Sequence, residues 1–189
     1  GGFFYEAGAK VPLLMRWPAR LTGGNRVSAV VQPHDIAATV LEAAGLMEPE
    51  VAAEMPTSKD LLPVAAGEVE TVRDFAVCAY RNSGISDSKR PWDPPIEATM
   101  ITDGRYKLSL YHGESGRGEL YDLRRDPQEL ADLSGNGDYR GERLRLTDAL
   151  VAWLKFHERS GLGTRGGEAL PGPADQLDNR LKTDPSEGS

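Results

Sequence analysis

Apolar and polar positions alternate most clearly from Ile101 to Leu133, ITDGRYKLSLYHGESGRGELYDLRRDPQELADL. Asp103-Gly104 is the dipeptide of a two-residue type I′ turn, because glycine takes positive φ without a Cβ penalty. A turn centred there pairs Thr102 with Arg105, Ile101 with Tyr106 and Thr99 with Leu108. Period 2 then sets Tyr106, Leu108 and Leu110 beside Ile101 and Thr99 on a dry face. Arg105, Lys107 and Ser109 fall on a wet face with Thr102, Met100 and Ala98. After the glycine-rich return Gly113–Gly118, Glu119–Leu123 offers a third strand. Asp126-Pro127-Gln128-Glu129 has the spacing of a capping box, predicting a short helical turn that carries Leu130 and Leu133.

Elsewhere the pattern is coarser. Val11–Trp17, VPLLMRW, is the near-continuous apolar run of a strand buried on both faces of a mostly parallel sheet. Nothing later repeats the strand–helix alternation that would complete such a sheet. Pro33–Ala44 predicts a helix, with Pro33 in its first turn, Asp35 complementing the dipole and Gly45 beyond its end. Its apolar stripe is Ile36, Val40 and Ala44, flanked by Ala37 and Leu41. Pro49, Pro56 and Pro63 interrupt the stretch that follows. Phe75–Tyr80 reads as a short buried strand, Arg81–Pro95 as a long proline-containing loop, and Leu144–His157 as a helix. That helix groups Leu144, Leu150, Val151, Leu154 and His157 for docking on the dry face. Residues 161–189 are rich in Gly, Pro and Asp, lack an apolar period, and read as a disordered tail.

Composition narrows this picture in few places. A net charge of −7 disfavours nonspecific binding to nucleic acid or an anionic membrane. No apolar run approaches the roughly 20 residues of a membrane-spanning helix. The single cysteine, Cys78, excludes an internal disulfide. The chain opens on Gly-Gly-Phe-Phe rather than Met, so the true N-terminus is expected to be missing. The compartment, cytoplasmic or periplasmic, stays open.

Three blocks carry a family resemblance. TDGRYKLSLYHG…GELYDLRRDPQELADLS resembles the C-terminal signature of the sulfatases, in the alkaline-phosphatase-like superfamily, with Asp132-Leu133 where Asn-Leu is usual. FFYEAGAKVPLLMRWP resembles the family's YEEGxRVPLIxRWPG strand. DIAATVLEAAGL resembles its DLxPTLLDLAGI helix, with Ala38 where Pro is usual, and Asp60-Leu61-Leu62-Pro63 echoes a further turn. The blocks come in the family's order and span roughly residues 1 to 156. The resemblance implies an α/β fragment plus an α+β part: the end of a mostly parallel alkaline-phosphatase-like sheet, then a small antiparallel sheet packed with a C-terminal helix. Residues 1–68 would end the catalytic domain, 69–160 would form the antiparallel subdomain, and 161–189 the tail.

The resemblance also implies a chemistry. Family members hydrolyse a sulfate monoester with a formylglycine made from cysteine and a calcium-like divalent cation, which together supply an activated oxygen and positive charge opposite the sulfate. Both motifs lie N-terminal to the blocks found here. Cys78, in AVCAYRN, lacks the modification motif and reads as a small buried strand residue. His34, His112 and His157 have no metal-site spacing; His34 reads as a first-turn helix residue and His157 as a helix-end one. The family's sulfate-reaching lysine would fall at or next to Gly1. Lys10 reads as an ion-pair partner of Glu6. Gly161–Gly166 matches G-x-G-x-x-G in the wrong context for a dinucleotide loop.

No catalytic or metal-ligating residue is therefore assigned. The candidate substrate contacts are at a pocket rim: Arg81 and Asn82 leaving a strand toward an anionic substrate, Trp92 stacking on a ring, and His112 at a strand end beside Gly113. The partners expected are the missing N-terminal catalytic portion and a small sulfated substrate, with the chain alone inactive. The alternatives are a phosphonate or phosphate ester hydrolase of the same superfamily, and a noncatalytic binding or packing module.

Overall fold

The computed structural model describes residues 4–81, 97–112 and 117–159. The loop expected at Arg81–Pro95 beyond Arg81 itself, the start of the glycine-rich return, the tail at 161–189 and the G-x-G-x-x-G match lie outside the described residues. The chain forms two compact units, residues 1–148 and 149–189.

The first unit is organised by one antiparallel sheet. Its strands are β1 (Ala76–Arg81), β2 (Glu97–Thr102), β3 (Tyr106–Tyr111) and β4 (Gly118–Asp122), in spatial order β1-β2-β3-β4. Each strand pairs with the next in sequence, so the hairpin and third strand expected from the alternation are present. The register differs from the expected one. Thr102 lies opposite Lys107, Ile101 opposite Leu108 and Thr99 opposite Leu110, two residues further along β3. Gly104 and Arg105 are the central pair of the turn, with Gly104 at φ 86°. The carboxylate of Asp103 explains the choice: its Oδ1 accepts from the N–H groups of Arg105 and Tyr106 at 2.8 and 2.7 Å. An even shift leaves every side chain on its expected face.

The dry face is buried as expected: Ile101, Leu108 and Leu120 are solvent-inaccessible. Burial of such side chains is worth about 1.5–3 kcal/mol each. The opposite face is not wet. Ala98, Met100, Lys107 and Ser109 are also buried. Residues ahead of α1 (Glu6–Ala9) cover them, with Phe4 packed on Ala98 and Met100.

Other expectations are corrected by where polar groups find partners. No helical turn follows Asp126. Glu129 adopts φ 57°, its side chain turns inward, and Leu130 is exposed. The run Val11–Trp17 forms neither strand nor helix, and Val11, Leu13, Leu14 and Met15 are exposed; among the described residues no parallel sheet is present for it to join. The helix α2 (Asp35–Ala43) forms as expected, and Gly45 takes φ 68° just past its end. Its apolar stripe faces outward, however, with Ile36 and Val40 exposed and Asp35, Ala38 and Thr39 buried. The inward side serves backbone donors in the Thr57–Leu61 stretch: Asp35 Oδ1 accepts from Lys59 N–H at 2.9 Å and Thr39 Oγ1 from Leu61 N–H at 3.0 Å. Buried polar groups demand partners, and that demand overrides the apolar stripe. Cys78 is exposed on the edge strand β1, not buried.

The short helices α3 (Pro49–Glu54) and α4 (Leu62–Ala66) follow the expected prolines. A 3₁₀ turn at Gly137–Tyr139 leads into α5 (Arg140–Arg159), longer than the helix expected at Leu144–His157. Within the first unit, Arg145 of α5 pairs with Asp103 at 2.5 Å and Leu146 is buried, while Leu144 is exposed. Within the second, Val151 and Leu154 are exposed, and the His157 ring lies 3.7 Å from that of Trp153.

Candidate functional site

Two arrangements on the sheet bring chemistry-bearing groups together. The first is on the covered face. Lys107, 1% exposed, places Nζ 2.7 Å from Glu6 Oε1 and 2.8 Å from Glu129 Oε1, and donates to the Phe4 carbonyl oxygen at 2.8 Å. Glu129 Oε2 accepts from the Glu6 N–H at 2.6 Å. Among the described residues Glu129 is the sole non-glycine at positive φ, and that conformation is what turns its carboxylate inward. Three oxygens surround the ammonium: the Phe4 carbonyl by a hydrogen bond, and the Glu6 and Glu129 carboxylates as ion pairs, the buried Glu129 Oε1 having no hydrogen bond of its own. Removed from water, such a group persists only beside opposite charge that offsets its lost hydration. Glu6 also meets Lys10 at 3.8 Å, the expected i,i+4 pair, on the solvent side.

The second arrangement lies at the end of the sheet. The backbones of Arg81 and Glu97 pair across β1 and β2, and His112 donates its N–H to the Glu97 carbonyl at 2.7 Å. Arg81, Glu97 and His112 thus stand in one row across three strands, where the chain leaves for residues 82–96 and 113–116. His112 Nε2 lies 2.9 Å from Thr99 Oγ1, and Nδ1 lies 4.0 Å from Glu97 Oε2. The imidazole is held at Nε2 by Thr99 and leaves Nδ1 at a half-exposed edge at the strand ends. Tyr111 sits beside it, with the Arg117 guanidinium carbon 5.5 Å from its ring centroid. Burial, then the neighbouring Glu119, pushes the Tyr111 hydroxyl up to about 12, so it is a hydrogen-bonding phenol at neutral pH. Of the four expected rim residues, the structure brings His112 and the Arg81 backbone into this row. Asn82 and Trp92 lie outside the described residues.

The sequence reading missed Lys107 and Glu129. Lysine on an alternating strand signals solvent, and D-P-Q-E signals a helix cap. A signal was available in retrospect: Glu6, Lys107 and Glu129 each fall inside one of the resembled blocks. It also missed the buried carboxylate of Asp35, which pairs with Arg73 and accepts from Gln32 N–H at 2.7 Å, tying α2 to the approach to β1. His34 and His157 stand at the helix start and near the helix end as expected.

Neither arrangement supplies the reactive centre that a sulfate ester requires. Among the described residues no three His, Cys, Asp or Glu side chains gather in a way that could hold a metal ion. Desolvation pushes the Cys78 thiol up, opposite to an activated nucleophile. These residues do not fit a divalent cation or an oxidised cysteine nucleophile. No helix among the described residues is long and apolar enough to cross a membrane.

Comparison with known proteins places this geometry in a family. The family described as "N-sulphoglucosamine sulphohydrolase, C-terminal" matches residues 2–155. The N-acetylglucosamine-6-O-sulfatase of Bacteroides thetaiotaomicron is 27% identical over 183 residues, covering 94% of this chain and 31% of that protein. The same organism's N-acetylgalactosamine-6-O-sulfatase is 32% identical over 127 residues, covering 66% of this chain and 24% of that one. A solved structure of a protein in complex with its substrate D-glucosamine-2-N,6-O-disulfate superposes with TM-score 0.69 at 25% identity, over 83% of this chain and 30% of that one. The chain thus spans about a third or less of the length of the relatives it matches. With three sequence blocks in order, the antiparallel sheet and helix they call for, and a family match running almost from end to end of the described residues, the chain belongs to the C-terminal family of the N-sulphoglucosamine sulphohydrolases.

Proposed function

We propose that this chain is the C-terminal part of a sulfatase that hydrolyses the sulfate monoester of an amino sugar, releasing the sugar alcohol and inorganic sulfate. The observation that carries this reading is the fold match to a protein bound to a disulfated glucosamine, joined to two hexosamine 6-O-sulfatase relatives. Residues 1–68 then end the catalytic domain, 69–160 form the antiparallel subdomain that closes one side of the pocket, and 161–189 are its tail. The formylglycine and the calcium-like cation belong to the remainder of the enzyme, where they supply the attacking oxygen and the charge opposite the sulfate.

What this part does is hold the sugar. The row at the sheet end offers His112 as a hydrogen-bonding edge, and the sequence adds Arg81 and Asn82 as candidate polar contacts. The sequence adds Trp92 as the candidate aromatic contact for the ring. Such contacts orient a substrate without entering the bond-breaking step, and orientation alone is a large share of enzymatic acceleration.

The test is sulfate release from glucosamine 6-sulfate and galactosamine 6-sulfate by the longer protein containing this chain, with a phosphonate monoester as competitor. Sulfate release at the greater kcat/KM is expected, and replacement of His112 by Ala should lower kcat/KM about tenfold, chiefly through KM. Preference for the phosphonate monoester would overturn the reading in favour of the other branch of the superfamily.

A further inference from the structure

Lys107 and Glu129 grip the chain segment at Phe4 and at Glu6, the first residue of α1, through the Phe4 carbonyl, the Glu6 N–H and the Glu6 carboxylate. The segment's apolar contacts are less directional. Phe4 lies on Ala98 and Met100, and the Tyr5 ring meets that of Tyr121 edge-on at 6.0 Å. Apolar contacts of this kind tolerate sliding, whereas a buried ammonium bonded to the Phe4 carbonyl and paired with two carboxylates, one of which accepts from the Glu6 N–H, does not. The arrangement is also costly to build. It buries a lysine and holds Glu129 in a left-handed conformation that side-chain-bearing residues avoid. Buried ion pairs contribute little net stability, and their best-attested use is to set register.

We propose that Lys107 is a positioning residue. Its ammonium, with the inward-turned Glu129, fixes the register of residues 4–6 on the sheet, and thereby fixes the strand-end row relative to the chain entering the reactive part. Lys107 and His112 share one continuous stretch, β3 and the residue after it, so a slip of residues 4–6 against Lys107 is equally a slip against His112. The proposal rests on the sulfatase reading for what the register serves. That the clamp sets the register is independent of that reading.

Hydrogen exchange on the 189-residue chain separates the two. The variant is K107M with E129G: glycine suits the positive φ, methionine fills the lysine stem's volume, and the partly exposed Glu6 is free to turn to water. The amides of β2, β3 and β4 are expected to keep their protection, while those of Glu6 to Lys10 exchange at least about tenfold faster. Unchanged protection at Glu6 to Lys10 would overturn the proposal, since apolar contacts would then suffice. Loss of protection across the sheet together with these residues would also overturn it, making the cluster a core support. In the longer enzyme the same variant should lose about tenfold or more in kcat/KM, mostly in kcat, because misplacement slows the reacting complex. Unaltered kinetics with freed residues 6–10 would remove the positioning role. A wild-type longer protein that releases no sulfate would end the sulfatase reading and the functional half of the proposal, while the exchange result still decides the clamp.

Discussion

Lys107 shows how far one side chain departs from what its neighbours in sequence imply. Alternation assigns it to solvent, and its identity agrees; only the cover provided by Phe4 and Glu6, about a hundred residues away in the chain, buries it. Replacing it by Ala leaves Glu129 charged and buried without its counter-ion, so unfolding free energy should fall by about 3–5 kcal/mol in denaturant titration. Replacing exposed Lys10 by Ala should change it by no more than about 1 kcal/mol. Asp122 offers a pH test. Burial alone would raise its pKa, yet the Arg105 hydrogen bond at 3.2 Å and the N–H groups of Arg124 and Arg125 outweigh burial and hold it below the ordinary 3.8. A carboxylate depressed in the folded state contributes stability that is present above the unfolded pKa and is lost as pH falls through the folded value. Replacing Arg105 by Ala should therefore raise the Asp122 pKa in an NMR titration and move the acid-unfolding midpoint to higher pH.

At the scale of elements, the hairpin was legible in type and in face but not in register. Asp-Gly marks a turn, and both candidate registers place Leu108 with Ile101 on one face. The choice between them depends on the Asp103 carboxylate capturing two backbone N–H groups, which the dipeptide rule does not weigh. The helix α2 was legible in its length and its end, and misread in its orientation, because periodicity counts apolar residues and not the backbone donors of a distant loop. Glu129 was misread because a capping-box spacing and an inward-turned carboxylate look alike in sequence. Close strand packing gives a further prediction. A Cβ on Gly118 would stand 2.8 Å from the Ser109 carbonyl oxygen and 2.9 Å from Leu110 Cδ2, so Gly118→Ala should destabilise by about 1–3 kcal/mol in thermal or denaturant unfolding.

For the molecule as a whole, family membership was the most legible property, because three separated blocks in a fixed order are far more specific than any single motif. The strand-end positions of His112 and Arg81 were legible, and the sheet register sets their backbones in one row with Glu97. The clamp was not legible, since it exists only once the chain has folded back on itself. The central claim is that this polypeptide shapes and steadies a sulfatase whose reactive centre lies in other residues. Its most direct test is to incubate the purified 189-residue chain, with and without added calcium, with a chromogenic aryl sulfate and follow phenol release. The account predicts no release above the no-protein control under either condition. Steady turnover by the chain with no other polypeptide present would contradict it.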